Sequence, residues 1–297
     1  MQARRCALPC ATAHGILADG RRCIVVALIV LLIVARPVMA AGRPSVAASK
    51  AFDEYVAGVE ERIRYEESSP ASFIVEPDGA AAVREAEGGR GAVVVSPRGS
   101  GSAEVAGGLI HHWIGSVFVP GASVAQVLSV LQDYDHLPRY YLPEVMSSRL
   151  ISRDGDDFRI AMRLREHKVA TVVMDSDYDV RYGRLDLDHQ FSFSRSTRIT
   201  EIGDAGGPRE HALADTDSHG YLWRLNAYWR FARRGDGVVV QCEAVSLTRD
   251  VPAGLGWLVG PYVRAIPRES LQTTLGATRD ALVARANSER VTAAEHR

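Results

Sequence analysis

The chain has 297 residues, of which 46% are hydrophobic and 24% are charged, and its formal net charge is -1. This composition is ordinary for a soluble globular protein, and it excludes a disordered chain and a protein that crosses a membrane many times. The near-neutral charge also argues against nucleic acid as a partner, because neutralising phosphates normally needs a basic excess on some face.

The N-terminal segment has the parts of a secretory signal peptide. Arg21 and Arg22 precede an apolar run, Ile24–Ala35, and a small-x-small sequence ends at Ala40. The run holds about a dozen residues, whereas a helix that spans a bilayer needs about 20, so a permanent N-terminal anchor is the weaker interpretation. We predict a signal peptide over residues 1–40, cleavage after position 40 or 41, and a periplasmic or secreted protein.

The cysteines agree with export without disulfides. Cys6, Cys10 and Cys23 lie in the predicted signal peptide, which leaves Cys242 alone in the mature chain. An intrachain disulfide is then excluded. Cys242 lies in a strand-like run, where we expect a small buried side chain and not a nucleophile.

Residues 41–106 are predicted to hold a helix and a loose linker. Between Lys50 and Glu67, apolar side chains recur at helical spacing among Glu and Arg, which predicts an amphipathic helix that needs a partner surface. The stretch 78–106 is rich in Gly, Ala and Glu, and it predicts a loop with one short strand at 93–95.

From Gly107 the pattern changes to strands with two short helices between the first two. Leu109–Val119 is β-branched and aromatic, and Ser123 is a suitable N-cap for a helix through Leu131. Pro138 is expected to begin a second short helix, and the proline at position 143 to end it.

The strands that follow alternate between apolar and polar residues, which predicts an antiparallel sheet with one covered face and one solvated face. The predicted strands are Met146–Arg153, Phe158–Glu166, Val169–Tyr182, Phe191–Ile202, Tyr221–Phe231 and Val238–Thr248. A long helix is predicted from Pro252 to about Asn287. In its last part, Leu271, Leu275, Thr278 and Leu282 recur at helical spacing.

This order of elements and three sequence segments resemble the START-like or SRPBCC superfamily, which includes polyketide cyclases/dehydratases and lipid-transfer proteins. The segments are GSVFVPGASVAQVLSVLQDYDHLPRYYLPEV, the pair YLWRLNAYWRF and GVVVQCEAVSLTRDVP, and GWLVGPYVRAIPRESLQTTLGATRDAL. The resemblance implies an α+β helix-grip fold, in which a curved antiparallel sheet wraps around a long C-terminal helix. It covers residues 107–286, with the predicted N-terminal helix as an addition and 287–297 as a flexible tail.

The resemblance further implies an apolar cavity between the sheet and the long helix. For its ligand-binding residues we select inward-facing or rim side chains: Tyr140, Tyr141, Met162, Met174, Tyr178, Arg195, Trp223 and Trp229. Each of them has a plainer alternative, since inward Trp and Met side chains commonly only fill a core. For Tyr140 and Tyr141, the alternative to the cavity rim is a role in seating a helix on the sheet.

Polar groups on these apolar faces are the candidates for orienting a ligand. Arg195 follows Phe191 and Phe193 in alternation, so it either points outward, pairs with an inward acid, or meets an anionic ligand group. His111 and His112 are adjacent on a strand, so only one of them faces inward, and the other is expected at the surface. Glu166 is a further candidate.

No catalytic constellation is recognised. The chain has no paired histidines at metalloprotease spacing, no serine-hydrolase elbow and no phosphate-binding glycine pattern, and Val180 stands where a calcium loop needs glycine. We therefore predict no catalytic residue, no metal and no cofactor.

The leading hypothesis is an exported protein that binds or carries a hydrophobic small molecule, such as a lipid, a quinone or a polyketide-like compound. One alternative is a cyclase/dehydratase-type enzyme that uses Arg195, Glu166, His111 or Tyr178 as acid–base groups. The other is an interaction module whose Arg-rich strand faces contact a membrane surface or a protein partner.

Overall fold

A computed structural model describes residues 42–75, 91–167, 171–250 and 256–295, without the side chains of 256–262 and 286–295. The predicted signal peptide, with Cys6, Cys10 and Cys23, lies outside the described residues. The remainder forms one compact unit that includes the predicted N-terminal helix.

Nine strands form one antiparallel sheet in the order β1-β2-β9-β8-β6-β5-β4-β3, with the short β7 paired to β6. The strands are β1 Val94–Val105, β2 Gly108–Pro120, β3 Val145–Asp154, β4 Asp157–His167, β5 Thr171–Arg184, β6 His189–Gly203, β7 His211–Ala212, β8 Arg224–Arg234 and β9 Gly237–Arg249. The predicted strands are present. The alternation gives most of them a buried face, whereas β3 is largely exposed.

Within the described ranges, four α-helices and one 3₁₀ turn accompany the sheet. They are α1 Val46–Glu66, α2 Val124–Leu131, a 3₁₀ turn Tyr134–His136, α3 Pro138–Tyr141 and α4 Gly256–Glu295. The predicted caps are present: the Ser123 hydroxyl accepts the Gln126 N–H at 3.2 Å, and Pro138 stands at the first position of α3.

Helices α2, α3 and α4 pack on one face of the sheet, which we call the inner face. The predicted stripe of α4 is buried there, with Leu271, Leu275 and Leu282 in the same cluster as Val117 and Val240. This arrangement confirms the predicted α+β helix-grip architecture.

Gly115 allows α4 to approach β2 closely. A Cβ atom at this position would lie 2.5 Å from Cδ1 of Leu275 and 3.3 Å from the carbonyl oxygen of Val94. A side chain here would require Leu275 to move. Helix α4 packs against the β1–β2–β9 part of the sheet.

Helix α1 packs on the opposite face, which we call the outer face. Its apolar stripe forms a cluster with the outward side chains of β2, β8 and β9, as follows: Ala48, Phe52, Val56, Val59 and Ile63 with Ile110, Tyr228, Val245 and Leu247. The prediction of a wholly solvated second face is thus wrong for this part of the sheet, because the helix supplies a second cover.

Charged groups lie buried between α1 and the outer face. Arg230 is 1% exposed, and its guanidinium contacts Glu66 at 2.6 Å and Glu67 at 3.4 Å. Each charge in this contact has an opposite charge, which is the condition under which buried ions are tolerated.

Glu243 belongs to a second buried contact of the same kind. Its carboxylate meets Arg62 and accepts from Nε2 of His112, whose Nδ1 lies 2.8 Å from the hydroxyl of Tyr55. Burial alone would raise the pKa of Glu243, but the bond from His112 and the charge of Arg62 outweigh burial and lower that pKa to about 2. Glu243 is therefore ionised at neutral pH.

The rest of the outer face carries a ladder of ion pairs in which arginines on β4, β5 and β6 meet aspartates of the adjacent strand. The pairs are Arg159–Asp179, Arg163–Asp175, Arg181–Asp157 and Arg198–Asp177. These arginines are therefore already neutralised by the protein's own carboxylates.

Two segments are more regular than predicted. The stretch read as a linker with a short strand contains β1, twelve residues long, whose register shifts between Pro97 and Ser102. Its Gly and Pro residues lie at this irregularity, which explains why the pattern looked like a loop. Helix α4 continues to Glu295, into the stretch predicted as a flexible tail.

Arg230 and Arg195 both pair with glutamates of the α1 segment but differ in burial, and this difference leads to a prediction. Arg230→Ala leaves Glu67 buried without its cation, while Glu66 keeps Arg62 at 2.8 Å, so we expect the free energy of unfolding to fall by about 3 kcal/mol. Arg195 also pairs with α1, through Glu60, but its side chain is 55% exposed. Arg195→Ala should therefore lower the free energy of unfolding by less than about 1 kcal/mol. Urea unfolding measures both, and equal losses would contradict this account of the α1 contact.

Candidate ligand-binding site

Small side chains cross the middle of the inner face. Strand register places Trp113, Ala244, Ala227, Ser194 and Val180 side by side in one cross-strand row. Three adjacent positions in this row carry only Ala or Ser. The sheet therefore has little side-chain bulk at its centre.

A second row runs parallel to the first. His111 is paired with Ser246 and Ser246 with Leu225, whose N–H donates to the hydroxyl of Ser196 at 2.9 Å; Ser196 in turn is paired with Tyr178. We call this set the His111 row. Leu225 lies at the middle of this row. The two ends are polar aromatic side chains, His111 on β2 and Tyr178 on β5.

Several apolar side chains point to the inner face and still keep exposed surface. They are Met162 and Leu164 on β4 and Leu225, Ala227 and Trp229 on β8. Helix α4 packs chiefly on the other half of the sheet and on α2 and α3, so it does not bury them. Within the described residues, an apolar surface is therefore left partly open beside α4 on the β4–β8 part of the inner face, and we call it the inner space.

The part of the inner face that carries Phe158 and Tyr182 is covered by the segment between β2 and β3. Tyr134 packs on Phe158 with ring centroids 5.5 Å apart, and its hydroxyl lies 2.8 Å from that of Tyr182. These buried rings close the inner space on the side of α2 and α3.

Four of the residues selected from the sequence share the inner face. Met162 and Trp229 border the inner space, and Met174 and Tyr178 lie on neighbouring positions of β5 and are buried. The structure thus brings these four side chains to one surface. Whether they touch a ligand stays a prediction.

The two tyrosines of α3 differ from each other. Tyr141 is buried, and its hydroxyl lies 2.9 Å from that of Thr278 on α4, so it seats α3 on the long helix and does not lie at a rim. Tyr140 is half-buried against the core, and its hydroxyl donates to Asp133 at 2.9 Å. The seating alternative therefore describes Tyr141.

Arg195 and Trp223 do not lie at the inner space. Arg195 points to the outer face and donates to Glu60 on α1, because β6 turns Phe191, Phe193 and Arg195 all toward that side. Trp223 precedes the first residue of β8 and packs in the α1 cluster. The sequence alternation grouped Trp223 with Leu225. Trp223 lies outside β8, so the alternation of the strand does not extend to it.

The two histidines face opposite sides, as predicted for adjacent strand residues, but neither is at the surface. His111 lies on the inner face, and its Nε2 is 3.1 Å from the hydroxyl of Thr248. His112 is buried beneath α1 in the contact with Glu243. The expectation of a surface histidine is wrong because α1 covers that position.

Three titratable groups of the inner face, His111, Tyr178 and Cys242, are uncharged at neutral pH. Burial, together with the charge of Arg264, lowers the pKa of His111 to about 4. Burial raises the pKa of Tyr178 to about 12, partly offset by the Ser176 hydroxyl, and raises that of Cys242 well above its usual value. Glu166 is half-buried on β4. His111, Tyr178 and Cys242 thus favour holding a neutral molecule over proton transfer at neutral pH.

Sequence reasoning missed the small residues that make the inner space, above all Ser194, Ala227 and Ser246. Their signal was present, because serines alternate with phenylalanines in the run FSFSRS. Alternation shows that two faces exist but not which of them an additional helix covers.

A shallow depression on the outside of α1 lies on the other side of the sheet. Its lining is Pro44, Val46, Ser49, Lys50, Asp53, Glu54 and Ala57. It is open to solvent and lacks the enclosure that small-molecule sites have.

Comparison with solved structures finds START-type and aromatase/cyclase proteins. A STAR-related lipid transfer protein from Xanthomonas axonopodis is 16% identical, with 66% of this chain and 99% of that chain covered and a TM-score of 0.41. A START superfamily protein from Mycobacterium smegmatis is 14% identical, with 59% and 98% covered and a TM-score of 0.39. The Zhui aromatase/cyclase from Streptomyces sp. R1128 is 13% identical, with 60% and 94% covered and a TM-score of 0.39.

No protein-family model and no curated protein matches the chain. Within the described ranges, no helix combines the length and apolar composition needed to cross a membrane. In the same ranges, no group of three His, Cys, Asp or Glu side chains is placed to hold a metal ion.

Two alanines on β8 test whether the inner space exists. Ala227 faces it and keeps exposed surface, whereas Ala232 is fully buried on the other face. Ala232→Leu should lower the free energy of unfolding by about 1–3 kcal/mol through overpacking, and Ala227→Leu by less than about 1 kcal/mol because its added carbons enter open space. Urea unfolding measures the loss of free energy of unfolding in both variants. Equal losses would mean that the inner face is already filled.

Proposed function

We propose that this protein binds or carries a hydrophobic small molecule, such as a lipid, a quinone or a polyketide-like compound, in the inner space. The observation that carries the proposal is the set of inward apolar side chains that α4 leaves partly exposed, Met162, Leu164, Leu225 and Trp229 among them. Apolar surface that faces inward and stays accessible to water is the usual lining of a ligand site.

The energetics favour an apolar occupant. Burial contributes about 25 cal/mol per Å² of apolar surface removed from water, so a ligand that buries roughly 200 Å² would gain on the order of 5 kcal/mol before its ordering costs. Met162 and Met174 have flexible thioether side chains that adapt to ligands of different shape. This suits a carrier of a class of compounds.

Binding is better supported than catalysis. Of the acid–base groups considered for an enzyme, Arg195 lies on the outer face and pairs with Glu60. His111 and Tyr178 share the inner face, but their pKa values of about 4 and about 12 keep both uncharged near pH 7. General acid–base catalysis works best with a pKa near the working pH, which neither has.

A membrane-binding role through the arginine faces has less support. The arginines of β4, β5 and β6 that would meet anionic head groups, such as Arg163 and Arg198, are already paired with aspartates. Attraction to an anionic surface would have to compete with these pairs.

We also propose that the protein acts outside the cytoplasm, on the strength of the basic flank, apolar run and small-x-small ending in residues 1–40. N-terminal sequencing of the protein recovered from the periplasm or the medium should begin at position 41 or 42. Recovery of a chain that still begins before Arg21 would contradict this.

A fluorescent apolar probe tests binding in the inner space. The full chain should bind N-phenyl-1-naphthylamine with an increase in probe fluorescence. Ala227→Leu should weaken this binding by about tenfold, because it occupies part of the inner space and removes contact area.

Ala212→Leu is the matched control, since Ala212 lies exposed on β7. It should leave the affinity for the probe unchanged. No binding by the unaltered protein, or equal binding by all three proteins, would contradict the proposed site.

A further inference from the structure

Two buried polar atoms of the His111 row have no hydrogen-bond partner within the described part of the chain, and Nε1 of Trp113, two residues from His111 on the same face of β2, is another such atom. The two in the row are Nδ1 of His111, a residue 1% exposed, and the hydroxyl of Tyr178, a residue 2% exposed. Both residues belong to the His111 row, one at each end. A buried polar group without a partner destabilises a protein by about 1–3 kcal/mol, so each needs an explanation.

The surroundings of His111 determine which of its nitrogens carries the proton. Its Nε2 lies 3.1 Å from the hydroxyl of Thr248, and that hydroxyl lies 3.2 Å from the carbonyl oxygen of Arg249 and 3.5 Å from that of Leu109. A carbonyl oxygen only accepts, so the arrangement that uses both kinds of contact has Thr248 donate to a carbonyl oxygen and accept from Nε2–H of His111. The other nitrogen, Nδ1, therefore carries a lone pair.

The free lone pair persists at neutral pH. Burial and the nearby Arg264 guanidinium disfavour the imidazolium form of His111 and lower its pKa to about 4. Nδ1 is consequently an acceptor that only a donor can satisfy.

The inner space lies two strands from this acceptor, roughly 10 Å along the sheet. Leu225 and Ala227, which keep exposed surface, lie across Ser246 and Ala244 from β2, the strand of His111. A molecule whose apolar body covers Leu225 and Ala227 can place a polar end at His111.

We propose that the bound molecule is an apolar compound with a hydroxyl group, and that this hydroxyl donates a hydrogen bond to Nδ1 of His111. The inference rests on the proposed function and specifies its ligand class as alcohols, phenols and hydroquinones, in preference to ethers, esters and quinones that only accept. The Tyr178 hydroxyl, which both donates and accepts, offers a second polar contact on the far side of Leu225.

The two contacts are too far apart for one hydroxyl to serve both. His111 and Tyr178 are separated along the row by β9, β8 and β6, and neighbouring strands lie about 4.8 Å apart, which gives roughly 19 Å measured along the sheet. The hydroxyl preference is therefore assigned to His111 alone.

Matched ligand pairs test the proposal. Isothermal titration would compare naphth-2-ol with 2-methoxynaphthalene, and decan-1-ol with its methyl ether, on the full chain. Within each pair the apolar body is the same and only the donor is lost. We expect the alcohol to bind about tenfold more tightly than the ether, since the ether leaves Nδ1 without a donor.

Two substitutions separate the ligand contact from the structural one. His111→Gln keeps an N–H at the position of Nε2 for Thr248 and removes the acceptor at the position of Nδ1, so it should bind alcohol and ether equally with a nearly unchanged melting temperature. His111→Asn can place its amide oxygen where Nδ1 stood, so it should retain a several-fold preference for the alcohol.

The outcomes distinguish this inference from the proposed function. Equal binding of alcohol and ether by the unaltered protein, or an undiminished preference in His111→Gln, would overturn the hydroxyl contact and leave the inner space as a site. Absence of binding for all four compounds would overturn the proposed function and the inference with it.

Discussion

The close approach of α4 to β2 is the constraint on which the inner face depends. Leu275 packs against Gly115, where a Cβ atom would meet Cδ1 of Leu275 at 2.5 Å, and the long helix lies over the β1–β2–β9 part of the sheet. The other part, where Ala227 and Ser194 supply almost no bulk, stays uncovered by the helix. A helix held at one side and small residues beside it together produce the inner space, which neither would produce alone.

The outer face stabilises the strands that carry the inner space. Helix α1 covers β2, β8 and β9 with an apolar stripe and with buried ion pairs around Arg230 and Glu243. Removing one member of such a pair is far more destabilising than the pair is stabilising. The strands that carry His111 and Trp229 are thus covered from behind, so ligand binding on the inner face needs no rearrangement of the sheet's other side.

The strands, the two short helices and the stripe of α4 were predictable, because alternation, caps and helical spacing are local features of the sequence. The orientation of faces was not. Phe191, Phe193 and Arg195 alternate as an inward set would, yet they face outward. Phe193 and Arg195 meet α1 and Phe191 packs beside Phe73, and both partners lie more than a hundred residues earlier in the chain. Likewise, strand alternation predicted that one of the two histidines lies at the surface, whereas a hydrogen bond to Glu243 makes the burial of His112 tolerable. Long-range cover and pairing decide such positions, and local patterns do not encode them.

The central claim is that the inner space holds an apolar molecule with its polar end at His111. A crystal structure of the protein with naphth-2-ol tests it most directly. The account predicts the rings beside Leu225, Ala227 and Trp229 and the oxygen about 2.8 Å from Nδ1 of His111. Density for the naphthol on the outer face, or in the inner space with its oxygen turned away from His111, would contradict the account.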